Sequence, residues 1–98
     1  MKYMPKFKAR TDANHKEHIH TLKKAGYSVV DLSRVGGGCP DLLVGKNGHC
    51  WLVEAKTESG KISPKQDEFA NNWRGGPIYV SRDPSWALVA LEIKLKTL

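Results

Sequence analysis

The sequence predicts a small α/β protein whose elements follow the order helix, three antiparallel strands, helix, strand, helix. Three observations predict this order. Apolar residues recur at helical spacing between residues 12 and 25. Segments rich in β-branched residues flank Asn47-Gly48, a dipeptide that strongly favours a hairpin turn. Ser63 and Pro64 suit the N-cap and the first position of a second helix.

Length and composition limit the class of protein. The 98 residues suit one domain, which we expect to span residues 1–98. Hydrophobic residues make up 40% of the chain and charged residues 27%, as in ordinary folded proteins. The sequence has neither the apolar run of about 18 residues that a membrane helix requires nor the pattern of a secretory signal. Two cysteines are too few for a disulfide framework, so we expect a cytoplasmic protein.

The charge of the chain indicates a polyanionic partner. Sixteen Lys and Arg residues against ten Asp and Glu residues give a net charge of +6. Such a balance favours nucleic acid first and an anionic membrane second. Residues 1–10 contain four basic residues and no acidic one. We interpret this segment as a basic N-terminal arm, which either solubilises the protein or contacts phosphates.

The first helix is expected at residues 12–25. Ile19, Leu22 and Ala25 form its apolar stripe, and Gly26 ends it. The candidate N-caps are Thr11, Asp12 and Asn14, of which Asn14 also resembles a capping box with Glu17.

The remaining elements follow from short patterns. Strands are expected at residues 27–32, 41–45, 50–56 and 78–80, and the first three form an antiparallel meander. Gln66 can close a capping box with Ser63 at the start of the second helix. Asp83-Pro84 begins the last helix. The residues expected to face inward are Phe69, Ala70, Trp73, Trp86, Val89 and Ala90, and Trp51 is also assigned to the core.

The predicted hairpin brings three ionisable residues together. If Asn47-Gly48 is a two-residue turn, Asp41 lies opposite Glu54 on the same face. Because side chains alternate along a strand, Lys56 shares that face. The other face of the hairpin is apolar and suits a core; it comprises Leu42, Val44, Trp51, Val53 and Ala55.

Two opposed carboxylates repel each other, so a cation between them is expected. Oxygen ligands of this kind suit Mg²⁺. Lys56 can donate to a developing anion, or position and activate a water molecule. The alternative is a structural salt bridge in which Lys56 pairs with both acids.

The motif around these residues resembles that of a known nuclease superfamily. Pro40-Asp41, twelve intervening residues and Glu54-Ala55-Lys56 form the pattern P-D…E-x-K of the PD-(D/E)XK nucleases. A longer pattern, covering roughly residues 11–91, resembles small stand-alone phage and bacterial members of the virus-type replication-repair nuclease (VRR-NUC) family. It comprises Asn14-x-x-Glu17, residues 36–44, residues 52–56, Gln66-x-x-Phe69 and Trp73-Arg74-Gly75.

This resemblance implies a restriction-endonuclease-like core and a metal-dependent phosphodiesterase that acts on DNA. Asp41 and Glu54 would bind Mg²⁺ or Mn²⁺, the carbonyl of Ala55 would complete the site, and Lys56 would be the catalytic lysine. Glu17 matches a Glu that many members use, although its helical position points away from the core. Gln66 is either a capping residue or a neighbour of the catalytic lysine.

The function predicted from the sequence is that of a Mg²⁺-dependent DNA endonuclease, structure-specific for branched DNA in the manner of a Holliday-junction resolvase. Such an enzyme serves DNA repair and would be encoded by a bacterium or a phage. Symmetric cuts at a junction need two active sites, so we expect a homodimer. The candidate phosphate contacts are Arg34, Lys46, Lys61, Lys65 and Arg74.

Three alternatives remain open at this point. In the first, the chain is a restriction-like or single-strand nuclease, which a panel of DNA substrates would distinguish. In the second, it is a non-enzymatic nucleic-acid-binding module on a degenerate nuclease fold. In the third alternative the charged triplet is structural, which predicts that divalent metal has no effect on stability.

Overall fold

The computed structural model describes the backbone of residues 4–98 and the side chains from Asn14 onward. The predicted α/β class and order of elements are confirmed. The helices are α1 (Met4–Lys24), α2 (Pro64–Asn72) and α3 (Pro84–Lys96), and the strands are β1 (Ser28–Asp31), β2 (Leu42–Lys46), β3 (His49–Ala55) and β4 (Ile78–Ser81). In the part of the chain that is described, no helix is long and apolar enough to cross a bilayer.

The four strands form one sheet in the order β1-β2-β3-β4. The first three pair antiparallel, as predicted, whereas β4 pairs parallel to β3. Lys46 pairs with His49 next to the turn, so the predicted register of the hairpin is confirmed. Asn47 and Gly48 both have positive φ, 54° and 82°. A two-residue hairpin of type I′ requires this conformation at both positions, and Asn-Gly adopts it readily.

One face of the sheet carries the main core. Leu42, Val44 and Val53 are fully buried there, together with Leu22 of α1 and Leu91 of α3. Each such side chain contributes roughly 1.5–3 kcal/mol by leaving water. The helices α1 and α3 also contact each other. The hairpin is therefore anchored to the core through this apolar face.

The helix α2 lies beside the opposite face of the sheet. A groove between this helix and the sheet is lined by Leu43 and Leu52 on one side and by Phe69 and Trp73 on the other. At the start of α2, the hydroxyl of Ser63 accepts from the backbone N–H of Gln66, and the side chain of Gln66 accepts from the N–H of Ser63. The predicted capping box is therefore present.

The first helix is longer than the sequence pattern indicates. It begins at Met4, inside the segment interpreted as a basic arm, whereas residues 1–3 lie outside the described part of the chain. The predicted start at residue 12 is wrong, and Thr11, Asp12 and Asn14 lie within the helix rather than at its cap. Pro5 falls in the first turn, where a helix tolerates proline, and the following Lys, Ala and Arg residues favour helix.

The inward face of α3 also differs from the prediction. Ala87 and Leu91 are its fully buried residues, whereas Trp86 and Val89 are about half exposed, 49% and 56%. Ala90 is only partly buried. This helix is apolar on nearly all sides, so periodicity alone does not identify which side packs. Of the three tryptophans assigned to the core, Trp51 is buried, whereas Trp73 and Trp86 are exposed.

Candidate active site

Asp41 and Glu54 meet at the end of the hairpin that is remote from its turn. Leu42 and Val53 form the last residue pair of the β2–β3 ladder, so Asp41 and Glu54 follow as the next opposed positions. The Glu54 carboxyl lies within hydrogen-bonding reach of Asp41. A carboxylate oxygen of Asp41 also accepts from the backbone N–H of Ala55 at 3.0 Å. Residues that are thirteen positions apart in the chain are thus brought together by one turn.

Gln66 holds the second carboxylate from the side of α2. Its Nε2 donates to Oε2 of Glu54 at 3.0 Å, and its Oε1 accepts from the N–H of Ser63 at 2.9 Å. The capping role expected for Gln66 is present in its contacts, and a second bond brings its amide to Glu54. Its role as a neighbour of the catalytic lysine stays a prediction. The helix cap fixes the side chain of Gln66, and the fixed amide orients Glu54.

The electrostatics of the pair favour a bound cation. Glu54 is only 4% exposed. Burial, together with hydrogen bonding to Asp41 and its charge, raises the pKa of Glu54 to about 8, while the nearby ammonium of Lys56 acts in the opposite direction. The site therefore resists carrying its full negative charge at neutral pH. A divalent cation would remove this penalty by neutralising both carboxylates.

The donor set fits a hard cation. Among the side chains from Asn14 onward, His, Cys, Asp and Glu form no group of three or more that could hold a metal ion. The protein can thus offer two carboxylates, from Asp41 and Glu54, and a main-chain carbonyl such as that of Ala55. Mg²⁺ accepts few protein ligands because it keeps several of its water molecules. The residues present fit Mg²⁺ or Mn²⁺ better than zinc, which prefers histidine and cysteine.

Lys56 is the first residue after β3 and lies next to the carboxylate pair. Its charge is close enough to Glu54 to lower the pKa of that carboxyl, and its side chain is partly buried. The structure therefore places Asp41, Glu54 and Lys56 in one cluster at the edge where β2 begins and β3 ends.

Among the side chains of α1 that the structure describes, that of Asn14 reaches this cluster. Its side-chain amide donates to the backbone carbonyl of Lys56 at 2.7 Å. Glu17 lies three residues further along α1 and is exposed. The role of Glu17 as a site residue stays a prediction. The sequence singled out Asn14 as a candidate N-cap and as part of the Asn14-x-x-Glu17 pattern, and neither specifies a contact with Lys56.

A glycine allows α2 to approach the start of β2. Gly38 has a φ of +82°, and a Cβ atom at this position would lie 2.1 Å from the backbone oxygen of Lys65. Only glycine fits both the backbone conformation and the contact. The loop before Asp41 is thereby held against the first turn of α2, next to Gln66.

The predicted phosphate contacts are not all near the cluster. Lys46 lies at the opposite end of β2, where its ammonium donates to the carbonyl of Ala25 at 2.9 Å and to Glu92 at 3.4 Å. These bonds occupy Lys46 within the protein. The other four candidates are exposed; they are Arg34, Lys61, Lys65 and Arg74. Of these, Lys65 adjoins Gln66 and Lys61 lies in the loop that follows Lys56.

Comparison with solved structures gives the class of protein. A structure described as a VRR_NUC domain is similar to this chain, with 31% sequence identity and a TM-score of 0.60. The match covers 87% of this chain and 94% of that chain. Together with the P-D…E-x-K cluster, this similarity defines a nuclease of the PD-(D/E)XK type. The chain belongs to the VRR-NUC family, as its sequence pattern indicated. No family profile and no curated protein sequence matches it.

Proposed function

We propose that this nuclease is a divalent-metal-dependent DNA endonuclease whose reaction centre is the cluster of Asp41, Glu54 and Lys56. The observation that carries the proposal is the opposed pair of acids. A buried Glu54 beside Asp41 is costly to ionise, and a fold that keeps such a pair is suited to a cation. The excess of basic residues supports a polyanionic substrate.

Each residue of the cluster has a separate role in this proposal. Asp41 and Glu54, with the carbonyl of Ala55, would hold Mg²⁺ or Mn²⁺, which when bound lowers the pKa of water and neutralises phosphate charge. Lys56 cannot be a metal ligand, since its ammonium has no free lone pair. It orients the attacking water and stabilises the anion that develops on the phosphate. Gln66 keeps Glu54 in place through the bond from its side-chain amide.

The proposed substrate is branched DNA, cut by a homodimer. Paired cuts on two strands of a junction require two reaction centres, and each chain supplies one. A two-fold symmetric dimer would present both to one junction. One alternative is a restriction-like or single-strand nuclease, which would use the same metal-dependent hydrolysis on a different DNA substrate. The other is a nucleic-acid-binding module without catalytic activity.

A cleavage assay with and without Mg²⁺ tests this proposal. The substrates are duplex, flap, single-strand and four-way junction DNA of matched sequence. We expect metal-dependent cleavage that is fastest on the junction. Lys56→Ala should reduce the rate by about 10²–10³-fold, while Lys23→Ala, which removes the same charge from an exposed position at the end of α1, should cleave at the wild-type rate.

The other outcomes are equally informative. Equal cleavage of all substrates would overturn the junction preference but keep the nuclease chemistry. DNA binding without cleavage in Mg²⁺ or Mn²⁺ would identify a binding module. Cleavage by Lys56→Ala at the wild-type rate would remove Lys56 from the reaction centre.

A further inference from the structure

We propose that Asn14 is a positioning residue for Lys56, which it holds together with Ser81 through the main chain of the lysine. The proposal rests on the catalytic role of Lys56 proposed above. The side-chain amide of Asn14 donates to the Lys56 carbonyl at 2.7 Å, and the Lys56 N–H donates to the Ser81 carbonyl at 2.8 Å. Both polar groups of the Lys56 backbone are thereby bound, one to α1 and one to the end of β4.

Lys56 needs such anchoring because of where it lies. The strand β3 ends at Ala55, and the β2–β3 ladder has already ended at Val53. The backbone of Lys56 therefore has no pairing with β2 to hold it. A lysine side chain has four rotatable carbons, so the position of its ammonium depends strongly on a fixed backbone. A displacement of about 1 Å at a reacting group can cost about 100-fold in rate.

A buried histidine connects the two residues that hold Lys56. His18 is fully buried, and its Nδ1 lies 2.8 Å from the carbonyl of Asn14 while its Nε2 lies 2.7 Å from the hydroxyl of Ser81. Asn14 and His18 are four residues apart and share one face of α1. The hydroxyl of Ser81 also donates to the carbonyl of Asp83 at 2.9 Å. The contact between α1 and β4 is thus tied by hydrogen bonds beside the catalytic cluster.

The loop that follows Lys56 is held from the same side. The guanidinium of Arg82 donates to the carbonyls of Thr57, Glu58 and Gly60. Arg82 is the next residue after Ser81, so adjacent residues at the end of β4 hold both Lys56 and the loop behind it. Contacts from the end of β4 thus hold the Lys56 N–H and the following loop, and Asn14 of α1 holds the Lys56 carbonyl.

The chemistry of the asparagine amide determines what it can do here. An amide has N–H donors, whereas a carboxylate at the same place could only accept and would repel the carbonyl of Lys56. A role in positioning Lys56 therefore requires the amide. A role as a metal ligand would favour an acid.

Substitutions at Asn14 test the proposal through kinetics. Asn14→Asp and Asn14→Ala should lower kcat about 10- to 100-fold, with KM and Mg²⁺ affinity changed less than about twofold. Asn14→Gln, which keeps the amide, should recover part of the loss. His20→Ala on the exposed side of the same helix is the control and should match the wild type. If Asn14→Asp cleaves as fast as the wild type or faster, the position does not act through the Lys56 carbonyl and the proposal is wrong.

Amide hydrogen exchange gives a readout that does not depend on activity. In Asn14→Ala, exchange at residues 56–60 should become faster while the amides of β3 keep their protection. Unchanged exchange at residues 56–60 would refute the anchor even if kcat fell. A wild-type protein that cleaves no DNA would refute the proposed function and with it the catalytic purpose of the anchor. If the wild type cleaves DNA and Asn14→Ala cleaves it equally fast, the positioning role of Asn14 is refuted and the proposed function stands.

Discussion

At the scale of single residues, the stability of the metal-free protein depends on the proton of Glu54. The folded chain holds that proton more tightly than the unfolded chain, because the pKa of Glu54 is raised from 4.5 to about 8. This contribution to stability is complete below the pKa that Glu54 has in the unfolded chain. It is lost as pH rises through the pKa that Glu54 has in the folded chain. Burial lowers the pKa of His18, so the folded chain holds that proton less tightly than the unfolded chain does. This makes the protein less stable as pH falls, but only below the ordinary histidine pKa of 6.5.

We therefore expect the melting temperature of the metal-free protein to fall as pH rises from about 6.5 to about 8. In Glu54→Gln, which cannot ionise, this fall should be largely absent. Addition of Mg²⁺ should reverse it in the wild type, because a cation bound as proposed would stabilise the ionised pair. Thermal unfolding followed in chelator and in Mg²⁺ measures both effects. Parallel pH profiles for the wild type and Glu54→Gln would contradict the assignment.

Asp41→Asn should separate metal binding from folding. The change removes one charge from the site, so Mg²⁺ affinity and cleavage should fall together, with partial recovery at high Mn²⁺. Stability without metal should hold near neutral pH, because the new amide oxygen can still accept from the N–H of Ala55. It should rise above about pH 8, where Glu54 ionises in the wild type and the change relieves its repulsion by Asp41. Calorimetric metal titration and melting temperature measure the two effects. A clearly lower melting temperature without metal would show that Asp41 is mainly a structural ion partner.

At the scale of elements, the first turn of α2 links helix capping to the site. Gln66→Ala removes the capping bond to Ser63 and the bond to Glu54. We expect a loss of about 1 kcal/mol in the free energy of unfolding and a lower kcat. Glu68→Ala, an exposed change on the same helix, is the control for stability and activity. Chemical denaturation and single-turnover cleavage provide the measurements. Unchanged cleavage in Gln66→Ala would mean that Glu54 does not need the amide.

At the scale of the whole molecule, α3 suggests where two copies would meet. Trp86, Val89 and Ile93 are spaced along one side of the helix and are 49%, 56% and 58% exposed. We expect a dimer at micromolar concentration that Val89→Asp weakens, because a charge would have to be buried in the contact. Ser85→Asp, exposed on the same helix, should leave self-association unchanged. Analytical ultracentrifugation of the three proteins gives the result. Equal dimerisation by Val89→Asp would place the contact elsewhere.

The parts of the fold that the sequence predicted are those fixed by local chemistry. Asn47-Gly48 specifies the turn, and the turn specifies the register that opposes Asp41 and Glu54. The cap at Ser63 is likewise a local device. The packed side of α3 was not predictable, because its apolar residues surround the helix and tertiary contacts select one side. The contact of Asn14 with Lys56 joins positions 42 residues apart, which no local pattern encodes.

The parallel pairing of β3 with β4 has a consequence for the order of synthesis. All residues of the P-D…E-x-K pattern have been made when Lys56 is added, but Ser81, which binds the Lys56 N–H, comes 25 residues later. A nascent chain that has not yet exposed β4 thus carries every group of the proposed reaction centre without the partner strand that holds the lysine. Contacts between distant positions form late because they must first close a long loop. Nuclease competence should therefore arise only after β4, through Ser81, has left the ribosome.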